Sequence, residues 1–234
     1  MTAPIVITGA AQRVGLYCAR ALNQQGQSVV ISYRRHRPLI EELEAEGIHC
    51  IQADFSSESG VNAFADTLKA NYGSLRALVH NASDWHADSD DNPGQVFEAM
   101  MAVHAKAPFL LNRALAPLLN GDKADIIHMT DFVTQIGSTK NMAYAASKAA
   151  LENLTYSFAR KLAPSIKVNA IAPALIIFNE DDSPAYRQKT LKKSLMEIEP
   201  GEKEIFNSLC FLLDSDYITG RSIPVDGGRH LNLP

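Results

Sequence analysis

The chain has 234 residues, of which 46% are hydrophobic and 21% charged, and its formal net charge is −4 at pH 7. This length favours one large domain over two small ones, and the ordinary content of Gly (13) and Pro (11) excludes collagen-like and low-complexity classes. The mildly acidic charge gives no case for nucleic acid as a partner. No apolar run reaches the roughly 20 residues that a membrane helix needs, and the amino terminus lacks the basic region of a secretory signal. We expect a cytoplasmic protein without a membrane or nucleic-acid partner.

Short apolar runs alternate with segments of helical periodicity along the whole chain. The predicted strands are 5–7, 29–31, 49–51, 75–79, 125–129, 167–171 and 222–225, and the predicted helices are 14–24, 38–45, 59–71, 94–119, 144–162 and 203–213. This alternation is typical of right-handed βαβ units. It predicts an α/β fold, namely a single-domain, Rossmann-type, doubly wound parallel sheet with helices on both faces, over residues 1–234.

Two polar, proline-containing segments, 86–94 and 178–201, interrupt the pattern. In this type of fold such segments are usually loops over the ligand site, although ordinary surface loops are the alternative. We predict that 178–201 forms a substrate lid. Ligands of an open parallel sheet bind at the carboxyl ends of its strands, so the residues that follow each strand are the candidates for a site.

The turn after the first predicted strand has features of a phosphate-binding loop. Gly9 permits a tight turn, and Gly15 lets the next helix pack close to the sheet. The N–H groups at the start of that helix would face a pyrophosphate. Arg13 stands where the usual fingerprint has its middle glycine. Two glycines in a turn are equally compatible with a structural role alone.

The second predicted strand ends in a basic cluster formed by Arg34, Arg35, His36 and Arg37. NAD-preferring sites carry an acidic residue here for the ribose 2′-hydroxyl. The cluster instead favours the 2′-phosphate of NADPH, which an arginine binds well; a solvated basic loop is the alternative. Asp54, after the third strand, is a candidate acceptor for the adenine amino group or, alternatively, a helix cap.

Tyr144 and Lys148 lie four residues apart in a predicted helix, and therefore on one helix face. A nearby ammonium group would stabilise the phenolate and lower the pKa of the tyrosine. Tyr144 is thus predicted to donate a proton near neutral pH. The spacing alone is common, but here it follows the fifth strand of a βαβ chain.

Taken together, these residues resemble the short-chain dehydrogenase/reductase family over essentially the whole chain. The matching residues are Thr8, Gly9, Gly15, Asp54, Asn81, Ala82, Tyr144, Lys148, Pro173, Asp226, Gly227 and Gly228. Where the family usually has a serine thirteen residues before the tyrosine, this chain has Asp131. An ionised aspartate would repel a developing oxyanion, and it suits a substrate that offers N–H groups or needs protonation at nitrogen. Three features resemble the pteridine reductase branch of this family: the pair of Asp131 and Tyr144, Arg13 in the glycine turn, and Ser83 after Asn81 and Ala82.

This resemblance implies NADPH-dependent reduction of a 7,8-dihydropterin, a small-molecule substrate, with dihydrofolate as a poorer one. Tyr144, or water beside it, would bring a proton to N5, Lys148 would bind the nicotinamide ribose, and Asp131 would orient Tyr144. The implied cofactor-binding residues are Gly9, Arg13, Val14, Gly15, Tyr33, Arg34, Arg35, His36, Asp54, Phe55, Asn81, Ala82, Ser83, Thr130, Tyr144, Lys148 and Pro173. The implied substrate-binding residues are Ser83, Trp85, Asp131 and Tyr144.

Some assignments within this resemblance have alternatives. Trp85, the single Trp, would stack on the pterin or serve only as a structural residue. His104 stands where the family often has an asparagine that supports a relay water, and a buried core histidine is the other possibility. Ala174 and Phe178 replace the family's usual Gly and Thr, so the loop after the sixth strand is expected to hold the cofactor differently.

Two other functions compete with the pterin hypothesis. A reductase of a carbonyl such as a 3-oxoacyl thioester is disfavoured by Asp131, and a non-catalytic NADPH-binding sensor would not need the Tyr144 and Lys148 pair. The resemblance also implies a homotetramer that packs through helix 144–162, although its alanines fit an internal helix equally well. The scattered histidines and the three cysteines show no metal spacing, so no metal is expected.

Overall fold

Seven parallel strands form one sheet in the order β3-β2-β1-β4-β5-β6-β7 in the computed structural model, which describes residues 3–232. The strands are β1 (Ile5–Ile7), β2 (Val29–Tyr33), β3 (His49–Gln52), β4 (Ala77–His80), β5 (Asp125–Met129), β6 (Lys167–Pro173) and β7 (Ser222–Val225). Every adjacent pair is parallel. The chain winds outwards from β1 to β3 and then crosses to β4, so the strand order reverses between β1 and β4. The predicted doubly wound sheet is confirmed.

Helices cover both faces of this sheet. They are α1 (Arg13–Gln24), α2 (Leu39–Ala45), α3 (Glu58–Asn71), α4 (Pro93–Met101), α5 (Ala107–Leu115), α6 (Met142–Leu162), α7 (Pro184–Leu191) and α8 (Lys203–Asp214). Side chains of a strand alternate between faces, so Ile5 and Ile7 pack in the cluster with α1, α2 and α8, whereas Val6 packs in the one with α3, α5 and α6. Burial on both faces explains why inner strands such as β1 and β4 are short, mostly apolar runs.

The single helix predicted over 94–119 is wrong in its middle. A π-helical segment, Ala102–Lys106, separates α4 from α5, and a 3₁₀ turn at Ala116–Leu118 follows α5. Pro108 has no N–H, so the carbonyl of His104 cannot receive the usual α-helical hydrogen bond. The wider turn lies just before this proline and places His104 on the buried side, where it is 1% exposed.

Segment 178–201 is more regular than predicted, because it contains α7. Ser183 caps this helix by accepting a hydrogen bond from the Tyr186 N–H at 3.2 Å, and Pro184 occupies the first turn. This serine and proline pair is a helix-start signal that the polar composition of the segment obscured.

A buried chain of polar side chains crosses the layer between the sheet and α5 and α6. His80 Nε2 lies 2.7 Å from Asn112 Oδ1, Asn112 Nδ2 lies 3.0 Å from His128 Nε2, and His128 Nδ1 lies 2.8 Å from Thr155 Oγ1. Burial lowers the pKa of His80 to about 4 and that of His128 well below its usual value. Both imidazoles are therefore neutral in the folded protein.

Between residues 3 and 232, no helix is long and apolar enough to cross a membrane. Cys18, Cys50 and Cys210 are free thiols, and burial raises the pKa of Cys18 to about 12.

Candidate active site

The carboxyl ends of β1 and β4 are tied together by Thr8 and Asn81. The Thr8 hydroxyl oxygen accepts hydrogen bonds from the backbone N–H groups of Asn81 and Ala82, each at 3.0 Å. The Asn81 side chain donates to the carbonyls of Thr8 at 3.0 Å and Gly9 at 3.1 Å. These bonds shape a crevice where the strand order reverses, which is where ligands of such sheets bind.

Both glycines of the first turn are required by close contacts. Gly9 has φ +62°, and a Cβ there would lie 2.6 Å from the Cα of Ala82. A Cβ on Gly15 would lie 2.5 Å from Asn81 Nδ2, so only glycine lets α1 approach this closely. The two glycines therefore leave an open backbone cradle at the start of α1, next to the partly buried Val14.

Arg13 links this turn to the candidate lid. It has φ +51°, the left-handed region that glycine would favour. Its guanidinium donates to Asn179 Oδ1 at 2.6 Å and to the Ile177 carbonyl at 3.2 Å. Arg13 thus occupies the position of the usual middle glycine, and its side chain connects the first turn to the beginning of segment 178–201.

A cavity of about 150 Å³ opens beside this turn at the ends of β2 and β3. Eight of the residues predicted to bind cofactor line it together, namely Gly9, Tyr33, Arg34, Arg35, Asp54, Phe55, Ala82 and Ser83. His36 is not among its lining residues, and its Nε2 lies 3.4 Å from Glu41 Oε1.

The basic side of this cavity contains an unforeseen ion pair. Arg34 Nη1 lies 2.7 Å from Asp84 Oδ2, and this hydrogen bond raises the pKa of Arg34. Asp84 also lines the cavity. A bound phosphate would therefore compete with the Asp84 carboxylate for Arg34.

Asp54 is not the cap of α3. Its Oδ1 accepts from the Ser56 N–H at 3.0 Å, whereas Ser57 Oγ caps the helix by accepting from Gly60 at 3.2 Å. The hydrogen bond from Ser56 lowers the pKa of Asp54, so this carboxylate is ionised at the cavity wall.

The structure brings Tyr144, Asp131 and Lys148 together beyond the end of β5. The Tyr144 hydroxyl donates to Asp131 Oδ2 at 2.9 Å, and Asp131 Oδ1 accepts from the Val133 N–H at 2.9 Å. Lys148 Nζ donates to the Met129 carbonyl at 2.8 Å and lies 5.7 Å from the centroid of the Tyr144 ring. The first turns of α6 and the end of β5 therefore position all three side chains.

The predicted lowering of the Tyr144 pKa is wrong for this structure. Burial and the neighbouring Asp131 carboxylate raise the pKa of Tyr144 above its ordinary value. Burial also raises the pKa of Asp131, against the opposing effects of the Val133 N–H and the Lys148 cation. Lys148 is fully enclosed, and burial lowers its pKa to about 8. The phenol is thus a neutral hydrogen-bond donor to a carboxyl group that itself binds protons readily.

His104 connects the loop after β4 with α6. Its Nε2 lies 2.8 Å from Ser83 Oγ and accepts from the Asp84 N–H at 3.3 Å, while Nδ1 lies 2.8 Å from Ser147 Oγ. Ser147 donates its own proton to the Tyr144 carbonyl at 2.7 Å, so the network assigns the imidazole proton to Nδ1. Both ring nitrogens of His104 are hydrogen-bonded to protein groups, so neither is left to bind a relay water.

The remaining predicted residues lie around this centre. Trp85 is 59% exposed, and its backbone N–H donates to Asp84 Oδ1 at 3.0 Å. The buried Thr130 uses its hydroxyl to bond the Ile171 carbonyl at 3.1 Å. Pro173 is the last residue of β6.

Sequence reasoning missed several residues that the fold brings here, notably Asp84, Ser147 and Arg229. The Arg229 guanidinium carbon lies 4.2 Å from the centroid of the Phe132 ring, and Phe132 directly follows Asp131 in the chain. Arg229 directly follows the motif of Asp226, Gly227 and Gly228 in the sequence, and this motif could have pointed to it as a site residue. Asp84 had no signal beyond its place beside Trp85.

Comparison with known proteins agrees with this arrangement. A family model described as Enoyl-(Acyl carrier protein) reductase matches residues 9–230. The chain is 54% identical over 233 residues to the dihydromonapterin reductase of Enterobacter sp. (strain 638), covering 98% of this chain and 97% of that protein. It is 55% identical over 232 residues to the dihydromonapterin reductase of Klebsiella pneumoniae, covering 97% of each.

Among solved structures, FolM alternative dihydrofolate reductase 1 from Brucella canis, complexed with NADP, superposes with a TM-score of 0.88 at 27% identity, over 100% of this chain and 96% of that one. This superposition includes both the glycine turn before α1 and the helix that carries Tyr144. The chain therefore belongs to the short-chain dehydrogenase/reductase family, among the relatives of dihydromonapterin reductase.

Proposed function

We propose that this protein reduces a 7,8-dihydropterin to the tetrahydropterin with NADPH, with dihydromonapterin as the first substrate and dihydrofolate as a weaker one. The hydrogen bond between Tyr144 and Asp131 carries the proposal. It pairs an acid with a carboxyl group of raised pKa, which suits delivery of a proton to a ring nitrogen. The names of relatives that are more than half identical support the same activity.

The residues present fit NADPH. Gly9 and Gly15 keep side chains out of the cradle at the start of α1, where a Cβ would collide with the end of β4. Arg34 and Arg35 line the adjacent cavity and would hold the 2′-phosphate, Asp54 would face the adenine, and Lys148 would hold the ribose next to the nicotinamide. When bound, NADPH supplies the hydride to C6 of the dihydropterin.

The protein's own contribution is the movement of one proton. Tyr144 donates its hydroxyl proton towards N5 of the substrate, and Asp131, which accepts the 2.9 Å hydrogen bond from this hydroxyl, relays a proton from solvent to the phenolate that remains. Burial favours this relay, because it raises the pKa of Asp131, so that the carboxyl group binds a proton more readily than an exposed aspartate does.

Ser83 and Trp85 would form the pterin side of the site. The exposed indole of Trp85 offers a flat apolar face for stacking. The hydrogen bond between His104 and Ser83 Oγ anchors the loop that carries Trp85. Segment 178–201, which is bound to Arg13 through Asn179, would act as the lid within the single reductase domain.

A direct assay tests the function. We expect the purified protein to oxidise NADPH with dihydromonapterin, dihydrobiopterin and dihydrofolate, and to show no comparable rate with a 3-oxoacyl thioester. Oxidation that depends only on the thioester would establish a carbonyl reductase. Binding of NADPH without turnover of any pterin would favour the sensor hypothesis.

Replacement of Arg34 by Ser is expected to lower kcat/KM for NADPH roughly 10- to 100-fold, since one charge-assisted contact to the 2′-phosphate is lost. The value for NADH should change little because NADH lacks that phosphate. Steady-state rates with both cofactors measure the effect, and Arg113→Ser on the outer surface of α5 is the control. An equal loss with NADH would show that Arg34 acts only through its ion pair with Asp84.

The proposal includes a homotetramer in the cytoplasm. Ala149 is exposed on α6, next to the partly buried Ala150, whereas Ala145 is buried inside the subunit. Phe109 and Tyr156 add exposed apolar area on α5 and α6, which is the surface on which we expect subunits to pack. The three free thiols suit the reducing cytosol.

A further inference from the structure

A second cavity, of about 290 Å³, lies between the carboxyl ends of β6 and β7 and the second half of segment 178–201. Its wall is largely apolar, with Leu175, Met196 and Ile198 among the lining residues. Two basic side chains, Lys193 and Arg229, and two acidic ones, Glu204 and Asp226, line it as well, and the Asp226 carboxylate lies 2.6 Å from His230 Nδ1. Neither of the two basic side chains belongs to the cavity assigned to the nucleotide, so their charges need a separate explanation.

Arg229 connects this cavity to the reaction centre. Its guanidinium lies against the Phe132 ring, 4.2 Å from the centroid, and it is close enough to Asp131 for the two charges to influence each other. Within residues 3–232, the Arg229 side chain forms no ion pair within 4.0 Å and no hydrogen bond. Arg229 is therefore shared between the lining of this cavity and the surroundings of Asp131.

Lys193 lies in the same positive field. Burial, followed by the charges of Arg229, Lys189 and Lys140, lowers its pKa. No carboxylate of the described residues lies within ion-pair distance of Lys193. The charges of Asp131 and Asp226 act favourably on Arg229, whereas Arg229 and Lys193 repel each other, and an anion between these two cations would reduce that repulsion.

A buried hydroxyl completes the cavity. Thr190 is 6% exposed, and its Oγ1 has no hydrogen-bond partner among the described residues. Buried polar atoms are nearly always hydrogen-bonded in folded proteins. Thr190 also lines this cavity, so its hydroxyl is available to a ligand there.

We propose that this cavity binds an anionic group on the substituent of the dihydropterin, with Lys193 and Arg229 as charged partners and Thr190 as a hydroxyl donor. This inference rests on the proposed function. A carboxylate and a phosphate share the required chemistry. The first would come from the glutamyl tail of dihydrofolate and the second from a phosphate ester on a shorter pterin side chain.

Lys193→Gln tests the proposal, because Arg229 lies beside Asp131 and its replacement would also alter the proton relay. Three substrates are compared, namely dihydrofolate, a dihydropterin with a side-chain phosphate ester, and dihydrobiopterin, whose side chain is neutral. The readouts are kcat/KM and, without turnover, the calorimetric Kd of each pterin for the protein saturated with NADP⁺. Lys192→Gln is the matched control, since Lys192 is an exposed neighbour that does not line the cavity.

We expect Lys193→Gln to lower the preference for at least one anionic substrate over dihydrobiopterin about three- to tenfold in both readouts. Lys193→Arg should restore the preference, and Lys192→Gln should leave it unchanged. The substrate whose preference falls identifies the anion as carboxylate or phosphate.

Equal preferences in Lys193→Gln and Lys192→Gln would overturn the proposal while leaving dihydropterin reduction intact. If the unmodified protein reduces no pterin at all, the proposed function fails first, and this inference fails with it.

Discussion

Tyr144→Phe is expected to lower kcat for dihydropterin reduction about 10²- to 10⁴-fold, the usual contribution of a positioned general acid. The substitution removes only the hydroxyl that donates to Asp131 at 2.9 Å. The ring, which lies 5.4 Å from the His104 ring, can keep its packing. The affinity for NADPH should therefore change little, and this separates a loss of proton transfer from a loss of binding.

Steady-state kinetics together with a fluorescence titration of NADPH measure both quantities. Tyr156→Phe is the matched control, because it removes a hydroxyl on the same helix that bonds only Glu152 at 3.1 Å. Unchanged turnover in Tyr144→Phe would remove this residue from the mechanism and leave Asp131 as the direct acid.

The pH dependence of kcat tests the partner of this tyrosine. The raised pKa of Asp131 means that the carboxyl group holds its proton at higher pH than usual. If that proton replaces the one that Tyr144 donates, kcat falls as pH rises through the pKa of Asp131. Asp131→Asn keeps a side chain able to hydrogen-bond Tyr144 but should abolish this limb of the profile.

Acidification should destabilise the fold well before its carboxylates are neutralised. An unfolded histidine has a pKa of about 6.5, whereas burial lowers the pKa of His80 to about 4 and that of His104 to about 2, and holds the pKa of His128 far below normal. At pH values below the unfolded pKa and above the folded pKa, the unfolded chain binds more protons than the folded chain. The free energy of unfolding therefore falls as pH falls through this range. Each buried histidine should cost roughly 2 kcal/mol between pH 7 and pH 5.

Asp131 acts in the opposite direction, since its raised pKa lets the folded chain bind a proton first. It offsets one of the three histidines at most. Urea unfolding at a series of pH values measures the sum as the pH dependence of the free energy of unfolding.

The variant His80→Gln tests whether the buried hydrogen-bond network of His80, Asn112 and His128 causes this dependence of stability on pH. A glutamine amide can still donate to Asn112 but does not titrate, so the slope below pH 6.5 should flatten by one proton, about 1.4 kcal/mol per pH unit. His36→Gln replaces an exposed histidine and serves as the control. An identical slope in His80→Gln and the unmodified protein would show that other groups cause the acid sensitivity.

Several features of this protein were predictable because they depend on neighbours in the chain. The apolar run 5–7 with Gly9 and Gly15 predicts a strand, a tight turn and a closely packed helix, and the close contacts of both glycines bear this out. The four-residue spacing of Tyr144 and Lys148 predicts a shared helix face. The predicted strands agree with the observed ones within a few residues. Burial on both sheet faces makes the inner strands β1, β2, β4, β5 and β6 compact, mostly apolar runs.

The errors and omissions arise where the outcome depends on residues far apart in the chain. The ion pair of Arg34 and Asp84 joins residues from different strand ends, and the Tyr144 pKa depends on how deeply the fold buries it beside Asp131. The cavity lined by Lys193 and Arg229 exists only because segment 178–201 folds against the end of β7.

The sequence by itself determined the alternating elements, the glycine turn and the tyrosine–lysine pair, since these follow from periodicity and local backbone sterics. Only the tertiary structure decided which charges meet, which protons are held and which hydroxyls remain without partners. Burial and the approach of distant side chains control these properties, and neither is encoded in any short stretch of the chain.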